Sequence, residues 1–151
     1  MSDESVVSAS RVINATPDAI FAILADATRH ADIDGSGLLR HHRGEPQPLT
    51  LGARFGMDMK MGLLPYRMGN TVVEFEPDRL IAWRPGGPQR WRYELEPVAG
   101  GTRVTETFDW SQFPALGRRV LEAVGLPARN LAAMRTTLQR LADLVESDAA
   151  S

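Results

Sequence analysis

The hydrophobic pattern divides the chain into four stretches. Val6 to Ile13 is rich in β-branched residues, which predicts a short strand. Thr16-Pro17-Asp18 then opens a helix. Thr16 is a capping residue type, Pro17 suits the first helical position, and Asp18 complements the positive end of the helix dipole. Ile20, Phe21, Ile23 and Leu24 supply an apolar face at helical spacing. The helix is expected to end near Asp26, with a second short helical turn over Thr28 to Ile33.

From Leu38 to Trp110 the period becomes that of strands. Phe55, Met57 and Met59 alternate with Gly56, Asp58 and Lys60, which predicts a half-buried strand. Thr71 to Phe75 and Leu80 to Arg84 are two more, closed by Pro77-Asp78 and by Pro85-Gly86-Gly87-Pro88. Trp91, Tyr93 and Leu95 alternate with Arg92 and Glu94, and Gly100-Gly101 signals a hairpin that returns as Thr102 to Trp110. Gly62-Leu63-Leu64-Pro65 reads as an apolar loop and a candidate lid. Consecutive strands joined by short turns predict an antiparallel meander rather than parallel βαβ units.

The last stretch is helical. A short amphipathic piece is expected over Phe113 to Val124, then a break at Gly125-Leu126-Pro127, then the main helix from Pro127 to Glu146. Leu131, Met134, Leu138, Leu141 and Val145 form one stripe of that helix, with Arg129, Arg135, Gln139 and Asp143 on other faces. The small polar tail 147–151 is expected to fray. An antiparallel sheet with one apolar face needs a cover, and the last helix is the element long enough to supply it. The fold class is therefore α+β, and a sheet curled around that helix would enclose a cavity.

Composition narrows the picture mainly by exclusion. The 151 residues suit one domain that needs no disulfide or metal staple, and there is no cysteine. Hydrophobic residues make up 43% and charged residues 24%, an ordinary globular balance. With 17 basic and 19 acidic residues interspersed, no basic face for nucleic acid is expected. No run approaches the roughly 18 apolar residues that span a bilayer, so no integral membrane association is expected. The acidic, polar start at Met1 to Ser5 lacks the pattern of a signal peptide, which makes the cytoplasm the default location. His41 and His42 are adjacent in a strand and point to opposite faces, so no zinc site is expected. Without a glycine-rich phosphate loop or a G-x-S-x-G elbow, no nucleotide, other cofactor or serine-hydrolase chemistry is expected.

Several segments, in order, resemble a known family. Thr16-Pro17-Asp18-Ala19-Ile20-Phe21 through Leu24-Ala25-Asp26 resembles the opening of START-like (SRPBCC superfamily) proteins of the bacterial polyketide cyclase/dehydrase type. Arg29-His30-Ala31-Asp32-Ile33-Asp34-Gly35-Ser36-Gly37 is similar to a stretch common in bacterial members. Asn70 to Pro77, Ile81-Ala82-Trp83-Arg84-Pro85, Tyr93-Glu94-Leu95-Glu96-Pro97 and Gly101-Thr102-Arg103-Val104-Thr105-Glu106 also fit. Asp26-Ala27 departs from the Asp-Pro often found after the first helix. The resemblance covers nearly the whole chain. It implies a helix-grip fold (START/Bet v 1-like), with an internal pocket between curved sheet and long helix. It also implies an apolar ligand such as a lipid, sterol or aromatic polyketide, and in a minority of members cyclisation or dehydration.

The residues that could serve such a pocket share strand parity or the helix stripe. Met57, Met59, Trp83, Trp91, Tyr93, Phe108, Met134 and Leu138 are the apolar and aromatic candidates, with Tyr66 and Asn70 as polar ones. The same residues would equally well fill a core. Glu106 shares parity with Val104 and Phe108. Either it points inward as a desolvated acid, or a bulge or strand end turns it to solvent or to an arginine. His30 and Asp34 are four apart in a helical turn. In the implied fold they lie near the pocket mouth, as a base oriented by its partner or as a surface pair or cap. Arg84, Arg90 and Arg92, with Asp58, Glu74 and Glu94, read as a solvated outer face.

Three functions fit. The first is a carrier or sensor of an apolar small molecule. The second is a cofactor-independent cyclase or dehydratase with Glu106 or His30/Asp34 as base and Tyr66 or Tyr93 as donor. The third is an interaction module with a filled core. A monomer or weak homodimer is expected.

Overall fold

The computed structural model describes residues 5–35, 39–43 and 48–150, with the side chains of 39–43 and 148–150 outside the description. Met1 to Glu4, Ser36-Gly37 of the family-like segment, Leu38 and Ser151 therefore lie outside the described residues, as do the side chains of His41 and His42. Among the described residues the strands are β1 (Val6–Ile13), β2 (Leu39–Arg43), β3 (Arg54–Met61), β4 (Leu64–Glu76), β5 (Leu80–Pro85), β6 (Arg90–Val98) and β7 (Gly101–Asp109). The helices are α1 (Pro17–Leu24), α2 (His30–Ile33), α3 (Ala115–Ala123) and α4 (Leu126–Ala150), with a 3-10 turn at Ala27–Arg29.

All seven strands form one antiparallel sheet in the order β1-β7-β6-β5-β4-β3-β2. Strands β2 to β7 make the expected meander, while α1 and α2 carry the chain from one sheet edge at β1 to the other at β2. Alternation explains the sheet's two faces. On β7, Thr102, Val104, Glu106 and Phe108 turn inward, and Arg103 and Thr105 turn outward. On the inner face, Ile13, Val72, Ile81, Leu95 and Val104 join Ile20 and Leu24 of α1 and Leu138, Leu141 and Val145 of α4 in one core. Each fully buried side chain of this kind contributes about 2 kcal/mol by leaving water.

Helix α4 rests on β1 and β7 and also touches α2 and α3. It begins one residue before Pro127 and runs to Ala150, beyond the expected end at Glu146. Ala149 and Ala150 are strong helix formers, so the small tail extends the helix instead of ending it. The Thr16 side chain does not cap α1 as its type suggests. It bonds Asp18 instead, and the Asp18 carboxylate takes the Ala19 N–H. Asp26 closes the region after α1 by accepting from the Thr28 N–H at 3.0 Å, which starts the 3-10 turn.

Two readings of the chain need correction. Gly62-Leu63-Leu64-Pro65 is no lid loop. Met61 pairs with Leu64 across a two-residue turn of Gly62 and Leu63, with Gly62 at φ 61°, so the segment is the tip of the β3–β4 hairpin. Pro65 obscures the strand in the sequence, yet β5 pairs with β4 only from Asn70 onward. Pro65 thus sits where β4 has a neighbour on one side, and there a strand proline is tolerated. The second correction concerns Arg90 and Arg92, which are half-buried and not simply solvated. Glu74 accepts from Arg92 Nη2 at 2.8 Å and from Arg90 Nη1 at 3.1 Å. Glu74 pairs with Ala82, and Ala82 with Arg92, so a small residue on β5 lets the arginine reach across it. The Arg92 hydrogen bond, more than its charge, holds the Glu74 carboxyl below the usual carboxylate value.

Candidate functional site

Between the sheet and the first half of α4 lies a cavity of about 280 Å³. Its back wall is built by strand parity. Phe55, Met57 and Met59 come from β3; Tyr66, Met68 and Asn70 from β4; Trp83 and Pro85 from β5. Trp91 and Tyr93 come from β6, Glu106 and Phe108 from β7, and Gln89 from the turn before β6. Leu126, Asn130, Ala133, Met134 and Thr137 of α4 face them at helical spacing, and His30, Ile33 and Asp34 close the side. The side chains of the described residues thus leave space beside α4.

The aromatic rings on the wall form two contact groups. Trp83 stacks on His30 at 4.8 Å between centroids, meets Phe55 edge-on at 5.6 Å, and lies 5.5 Å from Tyr93. Trp91 lies 4.8 Å from Phe108. Such mutual contacts fix the rings in place and leave a rigid apolar wall. The four methionines on the wall, Met57, Met59, Met68 and Met134, bring unbranched and polarizable surface that adapts to shape.

Polar groups interrupt this wall at a few points. Glu106 is 3% exposed. The β6–β7 ladder runs in unbroken register from Arg90↔Asp109 to Val98↔Gly101, so no bulge turns Glu106 outward. Tyr93 stands directly opposite, and its hydroxyl hydrogen-bonds the Glu106 carboxyl. Glu106 Oε1 is buried and has no hydrogen-bond partner. Burial raises the Glu106 pKa from 4.5 to about 8; the Tyr93 hydrogen bond opposes that shift, and the nearby Asp34 charge adds to it. Tyr93 is likewise pushed well up by burial, then by the charges of Glu106 and Asp34. Tyr66 is raised by burial and by Asp34. At neutral pH the cavity therefore presents a neutral carboxylic acid beside a neutral phenol.

His30 and Asp34 are both on the wall, but the local geometry gives the histidine a structural task. His30 is 6% exposed, and its Nε2 lies 2.8 Å from the Leu24 carbonyl oxygen. A carbonyl only accepts, so Nε2 is the donor there, and the ring ties α2 to the end of α1. The surface-pair reading of His30 fails for the same reason. Asp34 is held by its main chain: its N–H donates to the His30 carbonyl at 3.0 Å, and Arg140 donates to its carbonyl oxygen. The Gly35 N–H donates to Thr137 Oγ1 at 2.8 Å. A Cβ on Gly35 would lie 2.2 Å from the Ala133 carbonyl oxygen, so only glycine permits this approach to α4.

Of the candidates read from the sequence, Met57, Met59, Tyr66, Asn70, Trp83, Trp91, Tyr93, Phe108, Met134, Glu106, His30 and Asp34 stand on the cavity wall. Leu138 does not. It lies beyond the cavity in the core, because α4 faces the void only as far as Thr137. Leu95, Val104 and Trp110 are likewise core residues. Met68 escaped notice although it shares parity with Tyr66 and Asn70, a signal that the misread loop concealed. Asn130, Ala133 and Thr137 carry no apolar signal, and only packing of α4 against the sheet reveals them.

Residues 5–146 match the family model described as polyketide cyclase / dehydrase and lipid transport. Over 140 residues the chain is 38% identical to uncharacterized protein Rv0088 of Mycobacterium tuberculosis, covering 91% of this chain and 62% of that protein. The chain thus spans less than two thirds of that relative's length. Among solved structures, protein NE0264 from Nitrosomonas europaea superposes with a TM-score of 0.73 at 17% identity, covering 100% of both chains. The Polyketide_cyc-like protein Cgl2372 from Corynebacterium glutamicum gives 0.60 at 20% identity, covering 99% of this chain and 96% of that one. These two likenesses show the fold. With its curved antiparallel sheet, long C-terminal helix and a family match over residues 5–146, the chain belongs to the START-like polyketide cyclase / dehydrase and lipid transport family.

Proposed function

We propose that the protein binds a small apolar molecule in the cavity between the sheet and α4, acting as a carrier or sensor within one ligand-binding domain. The observation that carries this is a cavity of about 280 Å³ walled by aromatic and methionine side chains with few polar groups. Preformed, mostly apolar clefts with a few convergent polar groups are the usual form of small-molecule sites. Met57, Met59, Met68, Trp83, Trp91, Phe108 and Met134 provide the contact area; Tyr66, Asn70, Tyr93 and Glu106 orient the ligand. The test is titration with a fluorescent apolar probe, with Ala133→Phe as the filled-cavity control. Ala133 lies on the wall, so a phenyl ring there occupies ligand space. One-to-one binding that weakens at least about tenfold in Ala133→Phe, with the melting temperature kept, supports the reading. Absence of saturable binding overturns it.

A second reading has its own support. Glu106 is a buried acid with a free oxygen in the cavity and Tyr93 alongside, which suits proton transfer to or from a bound molecule. In a cyclase or dehydratase, Glu106 would exchange the proton and Tyr93 would steady the carboxyl. Incubation with the ligand found by titration separates the two. Product formation abolished in Glu106→Gln marks an enzyme, and unchanged ligand marks a carrier.

A further inference from the structure

We propose that the cavity selects an uncharged apolar molecule bearing a carbonyl or hydroxyl oxygen, anchored by a hydrogen bond from Glu106, and that it rejects carboxylates. This rests on the cavity-binding reading above and names the ligand's chemistry. Three observations lead to it. Glu106 Oε1 is buried on the cavity wall without a partner, and a buried polar group left unpaired costs stability that a ligand can recover. Tyr93 stands opposite Glu106 on β6 and burial keeps the Glu106 carboxyl protonated up to about pH 8, so the acid has a proton to give to whatever fills the space. Among the described residues no lysine or arginine stands on the wall, while Asp34 does.

A carboxylate ligand would enter a largely apolar place that already holds the Asp34 carboxylate and, among the described residues, offers no arginine or lysine, which is costly. A neutral ketone, lactone or alcohol meets no such charge and gives the Glu106 proton an acceptor. Gln89 strengthens the case. Its Nε2 donates to the Pro85 carbonyl at 3.2 Å, which leaves Oε1 buried and unpartnered on the same wall as an acceptor for a ligand hydroxyl. Among the described residues, the titratable groups that share the wall with Glu106 are Tyr93 from β6, Tyr66 from β4, and His30 and Asp34 from α2 and its end; Tyr93 and Asp34 shift its pKa. Of these, Tyr93 and Tyr66 stay neutral through the range in which Glu106 titrates.

The experiment is calorimetric titration of the whole protein at about pH 6 with four probes of one shape: naphthalene, acetonaphthone, naphthoate and naphthylmethylammonium. Acetonaphthone is expected to bind roughly tenfold tighter than naphthalene, and naphthoate at least roughly tenfold weaker than acetonaphthone. In Glu106→Leu the ketone's advantage disappears while naphthalene binding holds. In Glu106→Gln, which keeps a donor, the advantage survives. Raising the pH to about 9.5 ionises Glu106 and weakens ketone binding roughly tenfold in the parent but not in Glu106→Gln. A ketone no better than naphthalene, or a carboxylate bound as well as the ketone, overturns the proposal and leaves the cavity reading standing. Tightest binding of the ammonium also overturns it, in favour of ionised Glu106 and Asp34. Failure of all four probes to bind overturns both.

Discussion

Glu106 and Glu74 are both carboxylates on the sheet, and their surroundings move them in opposite directions. Glu106 faces the cavity, where burial keeps it neutral up to about pH 8. Glu74 faces outward beneath two arginines and stays ionised below the usual range. The sign for Glu106 follows from linkage. Between pH 4.5 and about 8 the unfolded chain has released the proton that the folded chain still holds, so rising pH favours unfolding. The stability is complete below the unfolded value and is lost as pH climbs to the folded one. Glu106→Gln has no proton to lose. It is expected to match the parent at about pH 4 and to exceed it by a few kcal/mol at about pH 8, read from urea unfolding. An equal difference at both pH values would show that the carboxyl is not held neutral.

Among the elements, α2 and its exit decide the shape of the cavity. Gly35 lies against the α4 backbone, and its N–H reaches Thr137 Oγ1. Gly35→Ala is therefore expected to cost about 2 kcal/mol or more and to weaken probe binding, because Asp34 and His30 must retreat with the chain. Thr137→Val keeps the shape and removes one acceptor, so its cost is about 1 kcal/mol. Equal, negligible effects in thermal melts would deny the clamp. On the outer face, Arg92→Met is expected to cost about 1 kcal/mol, since half-buried charged hydrogen bonds to Glu74 are lost. Much of this is hidden from pattern reading. Alternation shows that Arg92 and Glu74 share the outer face, but not that Ala82 stands between them and allows contact. Likewise, nothing local marks Gly35, whose neighbours are about a hundred residues away.

For the whole molecule, the two acids set a pH profile. Glu74 adds stability that is present above its unfolded value and lost as pH falls through its lowered one. Glu106 subtracts stability as pH rises from 4.5 to about 8. Their sum places the maximum at or just below about pH 4.5, and melting temperature is expected to decline from there toward pH 8. Glu106→Gln should move that maximum upward. A parent profile that peaks at pH 8 would contradict the neutral acid. The division of α4 belongs to this scale too. Its second half packs in the core through Leu138, Leu141 and Val145, while its first half lines the void. One end of the molecule supplies rigidity, and the other keeps space.

The sequence by itself determined the order of elements, the antiparallel meander, the covering helix and the inward parity of most wall residues. These follow from local rules: period two or 3.6, turn residues and one apolar face per element. The regular β7 ladder even keeps Glu106 on the face that its parity predicts. Only the tertiary structure decided that a void remains beside α4, that Leu138 lies past its end, and that His30 binds the Leu24 carbonyl. It also decided that Glu106 is sealed from water with one oxygen unpartnered. Whether facing side chains fill a space or leave it open depends on the curvature of the sheet and the distance to the helix. Those quantities sum over the whole chain, and no window of sequence contains them.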